Sequence, residues 1–119
     1  MNVLLADDDE SIAMVARLGL RRAGYTVTIV DDGARALEAA RTGGYDAIVL
    51  DWQLPEMDGI DVCRTLMNDP AWTRVPIVFL TGASHDGAEA EAIAAGAKGV
   101  VFKPFDPMTV GERVREIIG

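Results

Sequence analysis

The run Ala47-Ile48-Val49-Leu50-Asp51 decides the fold, because it places four apolar residues directly before a single carboxylate. Uninterrupted hydrophobicity over so short a length is typical of a strand that helices cover on both faces of a parallel sheet. Ligands bind to such sheets beyond the carboxyl ends of their strands. The run therefore predicts a buried strand that ends at a chemically available acid, Asp51.

Four similar runs lie outside this one, and each is short and mostly aliphatic. Amphipathic stretches separate the runs, so the chain alternates between strand and helix five times. A regular alternation with short loops predicts parallel strands joined by right-handed crossovers, with helices on both faces of the sheet. We expect the second strand to lie at an edge. The five runs are Val3–Ala6, Val27–Val30, Ala47–Leu50, Ile77–Leu80 and Val100–Phe102.

The stretches between the runs carry apolar or small residues at helical spacing. Gly24 is a suitable stop for the first helix. Asp106 and Pro107 predict the start of the fifth helix, as a capping residue followed by proline at the first helical position. The residues expected on buried helix faces are Ile12, Val15, Ala16 and Gly19 in the first helix, Leu37 and Ala40 in the second, Val62, Cys63 and Leu66 in the third, Ala90, Ile93 and Ala94 in the fourth, and Val110, Val114 and Ile117 in the fifth.

The composition is that of one soluble globular domain, which we expect to span residues 1–119. Lys and Arg total 11 against 19 Asp and Glu, so the formal charge is −8. This charge disfavours nucleic acid and anionic membranes as direct partners, because both are bound mainly through their phosphates. No apolar run reaches the roughly 20 residues of a membrane span, and no basic signal-peptide start is present. The single cysteine, Cys63, cannot form an internal disulfide, which fits a cytoplasmic protein.

Three acids follow the first and third runs and are expected to meet at one edge of the sheet: Asp7, Asp8 and Asp51. Packing them together without a cation would raise some of their pKa values and cost stability. Mg²⁺ suits such a site, because it binds one or two carboxylates together with waters and phosphate oxygens. The three carboxylates, the Lys103 ammonium and one Mg²⁺ sum to a charge near zero, so the site could accept a phosphoryl group. Other acids are better explained as helix starts or turns: Asp9, Glu10, Asp31, Asp32 and Asp58.

The Asp51 carboxylate could act as the nucleophile that forms an aspartyl phosphate. The transferred group then needs little beyond alignment and electrostatic support for its oxygens. Suitable donors follow the fourth and fifth runs, namely the Thr81 hydroxyl, the Gly82 backbone N–H and the Lys103 ammonium. Thr81 could instead simply cap the following helix.

Four short motifs, each at the end of a run, together identify a family resemblance. They are Asp7-Asp8, Asp51 with LPEMDG (residues 54–59) just beyond it, Thr81-Gly82-Ala83, and Lys103-Pro104-Phe105. In this order and spacing, and over essentially the whole chain, they resemble the receiver domain of bacterial two-component response regulators. The resemblance implies an α/β fold, the flavodoxin-like (βα)5 three-layer sandwich, whose parallel five-stranded sheet has the order 2-1-3-4-5.

The resemblance also implies a role for each motif residue. Asp51 would be the phosphoacceptor, Thr81 and Lys103 would contact the phosphoryl group, and Gly82 would offer its N–H. Asp8 would bind Mg²⁺ directly, and Asp7 would bind it through water. The implied set of metal-binding residues is Asp7, Asp8, Asp51 and Gln53, the last through its backbone carbonyl.

Phosphoryl groups in this family come from a histidine kinase or a histidine phosphotransfer protein, and the bound group shifts a two-state equilibrium. The implied output partner is a downstream protein or an effector domain outside this chain. Receivers catalyse only their own phosphorylation and dephosphorylation, so no other enzyme activity is implied. The cognate kinase, the pathway and homodimer formation stay open.

One position departs from the family pattern. Receivers usually carry an aromatic residue three positions before the lysine, and its rotamer follows the phosphoryl-binding threonine. Here that residue is Val100, which has no ring to swing between exposed and buried states. We therefore hypothesise that the signal leaves through backbone shifts in the loop after Thr81 and in the fourth helix.

Two other functions compete with that of a phosphoaccepting switch. A phosphatase or phosphotransferase on a similar sheet needs a second acid two residues after the nucleophile, and here that residue is Gln53. A degenerate receiver, acting as a phosphorylation-independent interaction module, stays open as the alternative. Such proteins typically lose a pocket acid or the lysine, which this chain keeps, and only Val100 favours this alternative. His85 is the only histidine, so a histidine metal cluster is excluded. Core packing is expected for Cys63, and Trp72 is expected to be a local packing anchor, with contact to a partner as the alternative.

Overall fold

The computed structural model describes residues 1–82 and 87–119, and within them it has the predicted alternation of strands and helices. The strands are β1 (Asn2–Ala6), β2 (Thr26–Val30), β3 (Ala47–Asp51), β4 (Ile77–Thr81) and β5 (Gly99–Phe102). The helices are α1 (Glu10–Arg22), α2 (Gly33–Thr42), α3 (Gly59–Met67), α4 (Ala88–Ala94) and α5 (Val110–Ile118). None of the described helices is long and apolar enough to cross a bilayer.

The strands form one parallel sheet in the order β2-β1-β3-β4-β5, which confirms the order implied by the resemblance. Every residue of β3 and β4 is buried, whereas β2 lies at an edge and is only partly covered. The strand order reverses between β1 and β3. The carboxyl ends of these two strands therefore flank the crevice in which such folds bind ligands.

Helices pack on both faces of the sheet, and each face has its own apolar core. One core lies under α2, α3 and α4 and contains Leu50, Phe79 and Val100, which the register places side by side on three neighbouring strands. The other core lies under α1 and α5. Cys63 belongs to the first core and Trp72 packs against it, as predicted.

Two predicted helix starts are confirmed by capping hydrogen bonds. The Ile12 N–H donates to Asp9 Oδ1 (3.1 Å), and the Arg35 N–H donates to Asp32 Oδ1 (2.7 Å). These bonds satisfy N–H groups that a helix start otherwise leaves without a partner. Gly24 follows α1 with φ +98°, a backbone conformation that favours glycine, so the predicted stop of this helix is also confirmed.

The predicted start of the fifth helix is wrong, because α5 begins at Val110, three residues after Pro107. Asp106 does act as a cap, since its Oδ1 accepts hydrogen bonds from the Met108 and Thr109 N–H groups (2.8 and 3.1 Å). These bonds close a turn that precedes the helix. The capping pattern was therefore real, but it belongs to the turn.

The predicted buried face of the fourth helix is also wrong. Ala90, Ile93 and Ala94 are exposed, and Ile93 keeps 50% of its surface accessible. The sheet side of α4 is formed by Ala88 and Ala92 instead. Alanines lie on both the buried and the exposed side of this helix, so their spacing does not select one face.

The buried faces of the other helices are largely as predicted. Half-buried positions occur at Ile12, Val15, Leu37 and Ile117. The fully buried positions are Ala16, Gly19, Ala40, Val62, Cys63, Leu66, Val110 and Val114.

Candidate functional site

The carboxyl ends of four strands hold the residues that the sequence singled out. Asp51 and Thr81 are the last residues of β3 and β4, and both are buried. Asp7 follows β1, and its N–H donates to the Val30 carbonyl (3.1 Å). Lys103 follows β5, and its N–H donates to the Thr81 carbonyl (2.8 Å). Strand-type hydrogen bonds therefore fix the backbone from which each side chain reaches the site.

Lys103 lies between two of the acids. Its Nζ is 3.2 Å from Asp51 Oδ2 and 3.5 Å from Asp7 Oδ2. The Asp7 side chain is fully buried, and those of Asp51 and Lys103 are 10% and 17% exposed. Exclusion of solvent strengthens such ion pairs, but it also makes an unbalanced charge costly. One ammonium faces two carboxylates here, so this group of three residues keeps a net negative charge.

The pKa of Asp51 is raised in this environment. Burial, and after it the charge of Asp7, raises the pKa of Asp51 from 3.8 to about 6. The Lys103 ammonium lowers the same pKa through its charge and its hydrogen bond, but it does not offset the other two effects. The predicted conflict among packed acids is therefore confirmed at Asp51.

We expect Lys103→Met to raise the pKa of Asp51 further in the metal-free protein. Methionine keeps an unbranched side chain but removes the ammonium, and with it both contributions that lower this pKa. An NMR titration of the carboxyl carbons in the presence of a chelator measures the change. Lys98→Met, at an exposed lysine before β5, should leave this pKa where it is. A fall in the pKa of Asp51 in Lys103→Met would contradict the geometry.

The site opens into a cavity of about 500 Å³ beyond the carboxyl ends of the strands. Of the residues that line it, Asp8, Gln53 and Gly82 are exposed, so small ligands can reach it from solvent. The predicted site residues that line the cavity are Asp8, Asp51, Gln53, Thr81, Gly82 and Lys103. Ala83 of the third motif and His85 lie outside the described residues.

The three acids at the crevice fit a divalent cation. Asp7, Asp8 and Asp51 can each offer a carboxylate oxygen within 4.8 Å of the other two. Asp7 Oδ1 accepts a hydrogen bond from the Asp9 N–H (2.9 Å), whereas the buried Oδ2 receives none from the described part of the chain. The 3.5 Å separation from Lys103 Nζ is an ion-pair distance and is too long for a short charged hydrogen bond. A buried acceptor without a donor, beside two further carboxylates, suits a hard ion such as Mg²⁺.

Two features of the site were not predicted. Ile12 lines both this cavity and an adjoining apolar groove of about 390 Å³, which it shares with Val15 and Phe105. Gly59, the first residue of α3, packs so closely on Asp51 that a Cβ at this position would overlap the Asp51 carbonyl oxygen. The Asp58-Gly59 pair indicates a turn and a helix start, but nothing in the sequence indicates this contact.

Trp52, which directly follows Asp51, is half-buried. Its ring lies against that of Phe79, with 5.2 Å between the centroids. Packing on the core therefore accounts for the position of this side chain.

The sheet order and the acid–lysine cavity are those of a receiver domain. The family model described as the response regulator receiver domain matches residues 3–115. The chain therefore belongs to the receiver-domain family of response regulators, as the resemblance indicated.

Known relatives agree with this assignment. The alkaline phosphatase synthesis transcriptional regulatory protein PhoP of Bacillus subtilis is 38% identical over 116 residues, which are 98% of this chain and 48% of PhoP. The chemotaxis protein CheY of Pseudomonas aeruginosa is 33% identical over 98% of this chain and 95% of its own. Among solved structures, the receiver domain of the sensor histidine kinase PA1611 of Pseudomonas aeruginosa has a TM-score of 0.85 at 33% identity, covering 99% of this chain and 97% of that one. The chain thus spans about half the length of PhoP and nearly all of CheY.

Proposed function

We propose that this chain is a phosphoaccepting switch of a two-component or phosphorelay system, with Asp51 as the acceptor. The observation that supports this most directly is the Asp51 carboxylate at the end of an interior strand, 3.2 Å from the Lys103 ammonium. Membership of the receiver family supports it independently. A histidine kinase or a histidine phosphotransfer protein would supply the phosphoryl group.

The proposed reaction is a direct displacement at phosphorus. An oxygen of the ionised Asp51 carboxylate attacks the phosphorus atom, and the bond from phosphorus to the donor nitrogen breaks as the new bond forms. The electron pair of the broken bond leaves with the nitrogen, and the product is an aspartyl phosphate. Asp7 is too deeply buried to meet a donor, which leaves Asp51 as the acid beside Lys103 that a donor can approach.

Lys103, Thr81 and Gly82 are proposed to support the oxygens of the transferred group. The Lys103 ammonium is largely removed from solvent, where a charge contact is worth more than in water. Thr81 ends the neighbouring strand, and Gly82 lines the cavity and would offer its backbone N–H. These donors are held in place before the reaction, so little reorganisation is needed during transfer.

The proposed cofactor is Mg²⁺, which Asp8 and Asp51 would hold directly, Asp7 would hold through water, and Gln53 would hold through its backbone carbonyl. When bound, the ion supplies positive charge that balances the carboxylates and the phosphoryl oxygens. The related receiver domain of PA1611 was solved with a magnesium ion coordinated in its active-site cleft. In this chain, the buried Asp7 oxygen without a hydrogen-bond donor supports the same assignment.

Phosphorylation is proposed to change a partner-binding surface of a cytoplasmic protein. The relatives include a transcriptional regulatory protein and a chemotaxis protein, which supports an output partner that is either an effector domain or a separate downstream protein. A direct role in binding nucleic acid is not proposed, since the formal charge of −8 opposes it. The catalysis proposed for the chain is limited to its own phosphorylation and dephosphorylation.

Incubation with phosphoramidate, followed by measurement of the intact mass, tests the function. We expect one added phosphoryl group in the presence of Mg²⁺ and a much slower reaction in the presence of a chelator, because the negative site then repels the donor. If no adduct forms in either condition, the chain is a degenerate receiver that binds partners without phosphorylation. An adduct that forms equally fast with the chelator would contradict the role of Mg²⁺.

A further inference from the structure

We propose that helix α3 carries the phosphorylation state of Asp51 to helix α4, and that Cys63 is the contact that joins the two helices. The inference rests on the proposed function, because it begins with a phosphoryl group on Asp51. It concerns the output step, for which Val100 offers no mobile aromatic ring. The contacts that support it lie at the two ends of α3 and at the surface where α4 packs on the sheet.

The first turn of α3 is fixed to the backbone around the acceptor. The Gly59 N–H donates to the Trp52 carbonyl (2.8 Å). Gly59 also packs directly on the Asp51 carbonyl oxygen, where a Cβ could not fit. This is contact between backbone and backbone, so no flexible side chain is available to absorb a movement. A shift of the Asp51 backbone therefore shifts the start of α3.

Cys63 lies one turn further along α3, on the same side of the helix as Gly59. Its thiol donates a buried hydrogen bond to the Ala95 carbonyl at the C-terminal end of α4 (3.3 Å). Burial raises the pKa of Cys63 to about 11, so the thiol keeps its proton and stays a donor at neutral pH. One turn beyond, the Met67 side chain occupies the space that a Cβ on Gly96 would need. The far half of α3 is therefore in contact with the end of α4.

Helix α4 packs on the sheet through small side chains. Its buried residues are Ala88 and Ala92, and the fully enclosed β5 residue of this core is Val100, with the partly buried Phe102 at its margin. An alanine buries only one methyl group, so little apolar surface opposes a displacement of α4 along the sheet. A helix with so little apolar contact to the sheet can be displaced when its neighbour α3 moves. We therefore expect α4 to move with α3 when Asp51 is phosphorylated.

Two variants of Cys63 that differ in one hydrogen-bond donor test the inference. Cys63→Ser keeps a donor of similar size, whereas Cys63→Ala removes it. Each variant and the wild type are treated with phosphoramidate and Mg²⁺, and the intact mass confirms the phosphoryl group in each sample. The amide signals of residues 88–98 are then compared between the phosphorylated and the free protein by NMR. If Cys63→Ala does not fold, Cys63→Val, which leaves no cavity and has no donor, takes its place.

We expect phosphorylation to change the amide chemical shifts of residues 88–98 in the wild type and in Cys63→Ser. In the variant without a donor, these shift changes should be smaller by about twofold or more. The amide chemical shifts of residues at the site, such as Asp51 and Lys103, should change equally in the wild type and in every Cys63 variant. Equal responses of α4 in every variant would overturn the inference and leave the proposed function intact. Absence of a phosphoryl group on the wild type would overturn both.

Discussion

Asp51→Asn is expected to form no phosphoryl adduct with phosphoramidate and Mg²⁺. The amide lacks the ionised oxygen that attacks phosphorus. Asp7, the other acid beside Lys103, has a fully buried side chain and cannot take over the reaction. Intact mass after a reaction time that saturates the wild type measures the difference.

Asp58→Asn is the matched control for this variant. It makes the same chemical change at an exposed acid before α3, whose side chain makes no capping hydrogen bond. This control should be phosphorylated like the wild type. An adduct of normal yield on Asp51→Asn would mean that another residue is the acceptor.

The same Asp51→Asn variant should be more stable than the wild type when both are metal-free and above about pH 6. The pKa of Asp51 in the folded protein, about 6, lies above its ordinary value of 3.8. The folded state therefore binds this proton more tightly than the unfolded state, and the wild type loses stability as the pH rises between these values. The loss is on the order of 3 kcal/mol, and asparagine, which does not ionise, avoids it. Urea unfolding at pH 4 and pH 7 with a chelator measures it, and equal pH dependence of the two proteins would contradict the raised pKa.

The second large effect is expected for Gly59→Ala, which should destabilise the protein by about 3 kcal/mol. The added Cβ would overlap the Asp51 carbonyl oxygen and would approach Phe79 Cε1 to 3.1 Å. Backbone atoms cannot rotate away, so α3 must move off β3 and the Gly59–Trp52 hydrogen bond must stretch. A loss of this size is a large part of the roughly 5–15 kcal/mol that stabilises an ordinary domain. The midpoint and slope of a urea unfolding curve measure it.

Gly82→Ala is the matched control for Gly59→Ala. Its Cβ would meet no atom of residues 1–82 and 87–119 within 4 Å, and the variant keeps the backbone N–H. Its stability should differ from that of the wild type by less than about 1 kcal/mol. If the two alanine variants were equally stable, the close contact between α3 and the Asp51 carbonyl would be wrong.

The strands could be predicted from the sequence because the interior of a parallel sheet excludes polar residues on both faces. The run that ends at Asp51 shows this, since every residue of β3 is buried. The acids and Lys103 were predicted to meet for a related reason, because parallel strands bring their carboxyl ends to one edge. Each of these residues directly follows an apolar run, and this spacing indicates that they meet at one edge of the sheet. The metal and phosphoryl roles given to them remain predictions.

The helices were less predictable where small residues leave the pattern ambiguous. In α4 the alanines permit several faces, and only packing against β5 decides that Ala88 and Ala92 are buried. At α5, Asp106 caps a turn that the sequence does not distinguish from a helix start. The contact between Gly59 and the Asp51 carbonyl depends on the angle at which α3 meets the sheet. That angle is a tertiary property, so no local signal indicates it.

The location of the phosphoryl group on the chain tests the central claim most directly. Borohydride reduces an acyl phosphate to an alcohol, so a phosphorylated aspartate becomes homoserine, which peptide mass spectrometry places at one position. After phosphorylation with phosphoramidate and Mg²⁺, we predict that residue 51 is converted and that all other acids are unchanged. Conversion at Asp7, Asp8 or any other acid, with Asp51 left as aspartate, would contradict the proposal that Asp51 is the phosphoacceptor.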